Sequence, residues 1–262
     1  MPASSSHAAL MKIVSWNVNS LNVRLPHVLA FLEQEKPDVL ALQETKLTDD
    51  KFPLDAILDA GYQCVFSGQK TYNGVCLLSR KAATDIVVDV PGLDDPQRRL
   101  LAASVDSIRI INIYIPNGQE VGSDKYSYKF RWLNAFRDYL KTELAQHAQL
   151  IVLGDFNIAP TDIDVHDPGR WHEKIMCSTA EREWFQSLQQ LGLIDTIRQL
   201  HSTDPKFSWW DYRMNAFRRN WGIRIDHILA TTSLNPVGAD IAKHYRTLER
   251  PSDHAPAWVE FE

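Results

Sequence analysis

Cysteine is scarce in this chain. Three of its 262 residues, Cys64, Cys76 and Cys177, are too few and too scattered for a disulfide framework. They form no Cys/His zinc pattern either, and read as plain thiols in a reducing compartment, the cytoplasm. Long apolar runs are also missing. None approaches membrane-spanning length, so no membrane partner is expected. Positive charge is not in excess. Lys and Arg number 28 against 33 Asp and Glu, a net charge of -5. No general basic field attracts a polyanion, and any such contact must come from a local patch. Gly/Ser linkers and low-complexity tracts are absent, which favours one domain. The opening MPASSSHAAL lacks the basic start and apolar stretch of a secretion signal. Residues 1–10 are expected to be a disordered leader or expression remnant, with a single domain over 11–262.

What is present is an ordinary globular composition, 44% hydrophobic and 23% charged, long enough to bury a large core. Strand and helix patterns alternate. MKIVSW, DVLALQE, YQCVFSG, GVCLLSR, IDHILA, PVGADIA and APAWVEF read as strands, and LLAASVDSIRIINIYI as two strands around Asp106-Ser107. YQCVFSG and GVCLLSR bracket a TYNG turn as a hairpin. LPHVLAFLEQE reads as a helix with Pro26 in its first turn. Tyr126, Phe130, Leu133, Phe136, Leu140 and Leu144 recur at steps of four and three, one apolar stripe of a long helix. Ser178 and Glu181 have capping-box spacing ahead of another. Tight turns imply antiparallel neighbours and helical crossovers parallel ones. A mixed sheet, or two packed sheets, with helices outside fits this α/β pattern.

Several strands end in polar groups. SWNVNS carries Asn17 and Asn19, LALQET ends in Glu44, INIYIPNG in Tyr114 and Asn117, and IVLGDFN in Asp155 and Asn157. RPSDHAPAW sets Asp253 and His254 just before the last strand. Asp226 lies among Ile223, Ile225, Ile228 and Leu229, where a carboxylate is costly unless paired; His254 or His227 could pair with it. Each residue alone has an ordinary structural explanation. Together they supply hard oxygen ligands without a Cys/His cluster, a set suited to magnesium or manganese.

The ordered motifs WNVN, LALQET, YIPNG, GDFNIAPTDID, RIDHIL and SDHAPAW resemble those of the endonuclease/exonuclease/phosphatase superfamily. KIMCSTAEREWFQSLQQLGLIDTIRQL and FSWWDYR with RNWGIRIDHIL are similar to its exonuclease III branch, which includes abasic-site nucleases. The resemblance implies a four-layer, deoxyribonuclease I-like α/β sandwich of two central mixed sheets flanked by helices. It also implies a Mg2+- or Mn2+-dependent DNA repair phosphodiesterase that leaves 3′-hydroxyl ends. Glu44 would be the main metal ligand with Asn17 beside it and Asp253 at a second metal position. Asp155 would accept a proton from water and Asn157 would orient that water. Tyr114 would donate to phosphate, with a phenolate near the leaving side as a variant. His254 would donate to a phosphate oxygen, oriented by Asp226. Asn19 and Asn117 would order the pocket.

The expected partner is double-stranded DNA with abasic sites or blocked or recessed 3′ ends, bound by a monomer. Trp209 to Arg224 holds four arginines against one aspartate among five aromatics, a patch for phosphates and unstacked bases. Trp209, Arg213, Arg218 and Arg219 are its DNA-binding candidates, and Arg98, Arg99, Lys125 and Lys129 weaker ones. Ile223 stands where some relatives carry a second aromatic. His166, after GDFN, would narrow the nucleotide pocket if it projected inward, favouring 3′-end processing over abasic cleavage. A phosphoesterase for a non-DNA ester would share the metal site but has no use for the Arg/aromatic segment.

Overall fold

The computed structural model describes residues 10–262, so of the expected leader only Leu10 lies within the described residues. The strands are β1 (Met11–Asn17), β2 (Val39–Gln43), β3 (Gln63–Ser67), β4 (Val75–Ser79), β5 (Ala83–Val88), β6 (Leu100–Val105), β7 (Ile108–Tyr114), β8 (Leu150–Asp155), β9 (Leu193–Asp195), β10 (Asp226–Thr231), β11 (Pro236–Ile241) and β12 (Ala257–Phe261). The helices are α1 (Leu21–Glu35), α2 (Leu54–Asp59), α3 (Asp124–Gln146), α4 (Pro168–Trp171), α5 (Thr179–Gln190) and α6 (Thr196–Leu200).

Two six-stranded sheets result, ordered β11-β12-β1-β2-β4-β3 and β5-β6-β7-β8-β10-β9. Each holds one parallel pair, β1 with β2 and β7 with β8, and both pairs are joined through a helical crossover. Every other neighbour is antiparallel, so both sheets are mixed. The central strands are near-continuous apolar runs because both of their faces are covered. Side chains alternate between faces. Ile13, Val39, Ala41, Leu77, Ile110, Ile151, Leu153 and Ile228 point into the seam between the sheets. Val14, Leu40, Leu42 and Leu78 point the other way, onto Val28, Phe31 and Leu32 of α1. Ile111, Ile113 and Val152 meet Leu133, Phe136 and Leu140 of α3 and Trp184, Phe185 and Leu188 of α5. The layers therefore run helix, sheet, sheet, helix, the four-layer sandwich expected.

Most predicted elements are found, and the differences have local causes. The helix after β1 starts four residues earlier than LPHVLAFLEQE, so Pro26 lies inside α1 and not in its first turn. Pro26 and Asn22 are both exposed, so water can serve the carbonyl that Pro26 leaves without a donor. β3 and β4 pair as the expected hairpin, though the connection is residues 68–74 and not a tight turn. Strands β5 and β9 were not foreseen. β5 is largely exposed at a sheet edge, and β9 is only three residues long. Among the described residues no helix is long and apolar enough to cross a membrane.

Gly154 of β8 has φ +143°, a conformation that aims the Cβ position at β7. A Cβ there would fall 1.9 Å from the Ile113 carbonyl oxygen. Gly154→Ala is expected to cost about 1–3 kcal/mol or more, as overpacking against rigid backbone does. The urea unfolding midpoint measures this, and an unchanged midpoint would contradict the packing.

Candidate active site

Register brings the polar strand ends to one rim. In the parallel pairs, Asn17 lies beside Gln43, one residue before Glu44, and Tyr114 lies beside Asp155. β10 runs antiparallel to β8, so its first residue, Asp226, faces Asp155. β12 runs antiparallel to β1, and the segment leading into it carries Asp253 and His254 to the same rim. Carboxylates from the ends of parallel strands and the starts of antiparallel ones thus converge.

The hydrogen bonds are specific. Asn17 Nδ2 donates to Glu44 Oε1 and to Asp155 Oδ2, both at 2.8 Å. His254 Nδ1 pairs with Asp226 Oδ2 at 2.8 Å, and its Nε2 stands 3.7 Å from Asp155 Oδ2. Ser208 Oγ also donates to Asp226 Oδ2, at 2.6 Å. Asn157 N donates to Asp155 Oδ1 at 2.9 Å. Asn117 Nδ2 donates to Asn157 Oδ1 at 3.0 Å, while Asn157 Nδ2 donates to the Ile115 carbonyl at 2.9 Å. One amide proton of Asn157 remains for a ligand. His227, the other partner considered for Asp226, is instead buried between Phe156 and Phe185 and bonded through Nε2 to Ile158 O at 2.8 Å.

The backbone at these positions is strained. Asn19, Ser20, Glu44 and Asn157 all have positive φ, at 44°, 90°, 52° and 49°. Non-glycine residues held there cost on the order of 1–3 kcal/mol each, and such strain gathers where side chains must be aimed.

The electrostatics follow from burial and crowding. Asp155 is dry, and burial, then Asp226 and Glu44, raise its carboxyl well above the usual range against the pull of His254. Burial works to lower His254, but Asp226 and Asp155 together outweigh it and hold the imidazole protonated. Tyr114 is raised by burial and then by Glu44, against Arg99, whose guanidinium lies 4.7 Å from the ring centre. It is a neutral phenol, not the phenolate considered from the sequence.

Glu44, Asp155 and His254 each offer one atom within 4.8 Å of one another, a geometry that could hold a metal ion. A protonated imidazole has no free lone pair, which leaves the two carboxylates. This oxygen set fits a hard divalent cation and not zinc. Two expected ligands are placed otherwise. Asn17 turns its NH2 to the carboxylates, and its Oδ1 accepts from Asn19 N at 3.0 Å. The Asp253 oxygens accept from Asn19 Nδ2 and from Trp209 Nε1, each at 3.0 Å, outside the group of three. Asp253 therefore orients Trp209 and Asn19 where a second metal position was expected.

Sequence reading missed Lys46, whose Nζ lies 3.2 Å from Glu44 Oε2 and donates to Asn19 Oδ1 at 2.6 Å. A cation two residues after the strand-end Glu44 was the available signal. Ser208 had none, being 18 positions from the carboxylate it serves.

The Arg/aromatic segment divides. Arg213 and Arg218 are exposed, the first paired with Asp211 at 2.8 Å. Arg219 is exposed and lies over Trp221, 4.5 Å from the ring centre. Arg224 is not a surface group. It is buried in ion pairs with Asp164 and Asp195, both at 2.7 Å. Lys129, a weaker candidate for strand contact, is wholly buried on Glu181, and Arg99 is covered by Tyr114. Trp209 is half-buried, linked by isolated bridges to Ile223 on one side and His254 on the other. Ile223 is fully buried. His166 stacks on Trp221 and bonds through Nδ1 to Gly222 O at 3.2 Å. It lines a groove of about 510 Å³ with Arg219 and Phe207, and none of these contacts is with the polar cluster.

A carboxylate pair that could hold a metal, an Asp-His pair and a phenol therefore meet on one rim of a double-sheet sandwich. The chain belongs to the Endonuclease/Exonuclease/phosphatase family, whose sequence pattern matches residues 14–254. It is 38% identical to exodeoxyribonuclease III of Haemophilus influenzae, over 96% of this chain and 100% of that protein. Among solved structures it superposes on the 3′ phosphatase NExo from Neisseria bound to product DNA hairpin, with a TM-score of 0.95 and 49% identity, covering 96% of this chain and 99% of that one. An AP endonuclease from Archaeoglobus fulgidus matches with a TM-score of 0.93 and 35% identity, covering 96% and 99%.

Because His254 is raised, its contribution to stability is fully present below its ordinary value of 6.5 and is lost as pH climbs toward about 10. In the metal-free protein, imidazole NMR should show His254 protonated well above pH 7. In Asp226→Asn, which removes the largest group raising it, the midpoint should fall. Equal midpoints would show that Asp226 is not the cause.

Proposed function

We propose that this protein is a metal-dependent DNA repair phosphodiesterase of the exonuclease III type. It hydrolyses phosphoesters at blocked or recessed 3′ ends or at abasic sites of double-stranded DNA and leaves a 3′-hydroxyl. The observation that carries this reading is the convergence of Glu44, Asp155 and His254 within 4.8 Å, with Asp226 behind the histidine. The similarity to an exodeoxyribonuclease, a DNA-bound 3′ phosphatase and an AP endonuclease supports the same substrate class here.

Glu44 and Asp155 are the residues that would hold the cation, Mg2+ with Mn2+ as its substitute. When bound, it would neutralise charge on the phosphate and the departing oxygen. The remaining chemistry belongs to the side chains. Asp155, oriented by the hydrogen bonds from Asn157 N and Asn17 Nδ2, accepts the proton of the attacking water. Asn157 orients that water with its free amide proton. His254, kept as a cation by Asp226, donates to a non-bridging phosphate oxygen, and Tyr114 donates as a neutral phenol. Asn17 bridges the two carboxylates, donating one hydrogen bond to each. Asn117 fixes Asn157, while Asn19 and Asp253 steer Trp209 toward the nucleotide. Arg213, Arg218 and Arg219 pair with backbone phosphates. The whole group comes from one chain, so a single copy would suffice for the chemistry, and the three free thiols fit the cytoplasm.

Asp155→Asn and His254→Ala should each lower turnover by roughly two to four decades. Gel assays on 3′-phosphate, recessed-end and abasic duplexes, with EDTA or with Mg2+ restored, measure this. Near-parent rates in both variants would refute the assignment. Affinity for duplex DNA should fall steeply between low and physiological salt, since several phosphates release counterions; a flat profile argues for a non-DNA ester. His166→Gly should raise the ratio of abasic cleavage to 3′-phosphate removal if the ring swings from Trp221 to the nucleotide. An unchanged ratio removes His166 from specificity.

A further inference from the structure

Behind the site lies a buried ion pair that the chemistry above does not use. Lys129 of α3 and Glu181 of α5 are both 0% exposed and bond to each other. The Lys129 ammonium has three protons and three acceptors. They are Glu181 Oε1, the carbonyl of Asn157 at 2.8 Å and the carbonyl of Asn117 at 3.2 Å. The two carbonyls belong to the two loops whose asparagine side chains meet at the rim. Glu181 is equally filled. Its Oε1 also accepts from Met176 N at 3.1 Å, and its Oε2 accepts from Ser178 N at 3.1 Å and Ser178 Oγ at 2.7 Å. The capping box of α5 thereby fixes the carboxylate that fixes the lysine.

A buried ion pair is a poor way to gain stability, because desolvating both charges offsets most of their attraction. Two apolar side chains would fill the same volume at least as well. What they could not do is donate to two loop carbonyls at once. The loops are shaped for the lysine as well. Gly118 has φ +87°, and a Cβ there would lie 3.0 Å from Lys129 Cδ, so the Asn117 turn sits directly on the lysine stem. Asn157 is held in the left-handed region at φ 49° with its carbonyl turned inward to Lys129, which leaves its N–H on Asp155 and its side chain at the rim.

We propose that Lys129, seated by Glu181, is a positioning residue that sets the Asn117–Asn157 pair against Asp155. The inference rests on the function proposed above, and it concerns geometry and not affinity. With the clamp removed, substrate and cation should still bind, but the water-orienting amide should be misplaced, and misplacement by about 1 Å can cost on the order of 100-fold in rate.

The test uses the full chain with Mg2+ and a 3′-phosphate duplex. Lys129→Met alone leaves Glu181 buried without a partner and should destabilise the fold, so the decisive variant is Lys129→Met with Glu181→Gln, which removes both charges. It should stay folded but melt below the parent, because the two loop carbonyls lose their donor, and it should keep its KM and magnesium dependence. Its kcat should fall roughly 10- to 100-fold. The side-chain amide NMR signals of Asn117 and Asn157 should shift and lose their exchange protection. Parent kcat in the folded double variant, or unchanged amide signals, would overturn the proposal. If that variant does not fold, Lys129→Arg decides by the same measurements. It keeps the charge, but a planar fork cannot serve the two carbonyls and Glu181 together, so kcat should again fall with KM unchanged, and parent kcat would overturn the proposal. A parent inactive on every DNA substrate would refute the proposed function instead, and the amide signals would then decide the positioning by themselves.

Discussion

Three carboxylates, Glu44, Asp155 and Asp226, crowd one largely dry rim, and the rest of the structure answers that repulsion. Each negative charge raises the cost of its neighbours, as the upward shift of Asp155 records. Compensation arrives from every side. His254 sits between Asp226 and Asp155, Asn17 between Asp155 and Glu44, and Lys46 beyond Glu44. No single element could bring these groups together. They come from the ends of β1, β2 and β8, the start of β10 and the segment entering β12. The double-sheet sandwich is the frame that lets five separate stretches of chain meet there.

Two buried ion-pair clusters have a different task. Arg224 ties Asp164, downstream of the GDFN segment, to Asp195 at the end of β9. Lys129 and Glu181 tie the loops after β7 and β8 to α3 and α5. Such pairs add little net stability, yet they fix directions that apolar packing would leave free. Positive φ occurs in many turns of the chain, and at Asn19, Glu44 and Asn157 it falls on residues whose side chains meet at the rim.

Much of this was legible beforehand for a definite reason. Strands buried on both faces give continuous apolar runs, so a polar residue at the tip of one, such as Asp155 or Glu44, stands out. Asp226 stood out by cost alone, and its partner could be narrowed to two histidines. Which histidine, however, required the fold: His227 is in sequence contact with Asp226 but points to the opposite face, onto Ile158. Alternation in a strand guarantees that neighbours diverge. Charge was the weakest guide. Lys129, a weaker candidate for strand contact, and Arg224, which closes the Arg/aromatic segment, are both buried on carboxylates far along the chain. A lone basic residue carries no mark of whether its partner is solvent, DNA or a distant acid.

Taken by itself, the order of residues determined the alternation of strands and helices, the capped start of α5, the long stripe of α3 and the identity of the chemically able groups, because all of these depend on local periodicity and on residue type. Tertiary structure decided the rest. It turned the Asn17 amide to the carboxylates instead of its oxygen, gave Asp253 to Trp209 and Asn19, kept Tyr114 a neutral phenol and set Lys129 beneath the asparagine loops. Those outcomes depend on distances between atoms remote in sequence, and such distances exist only once strand register has been set.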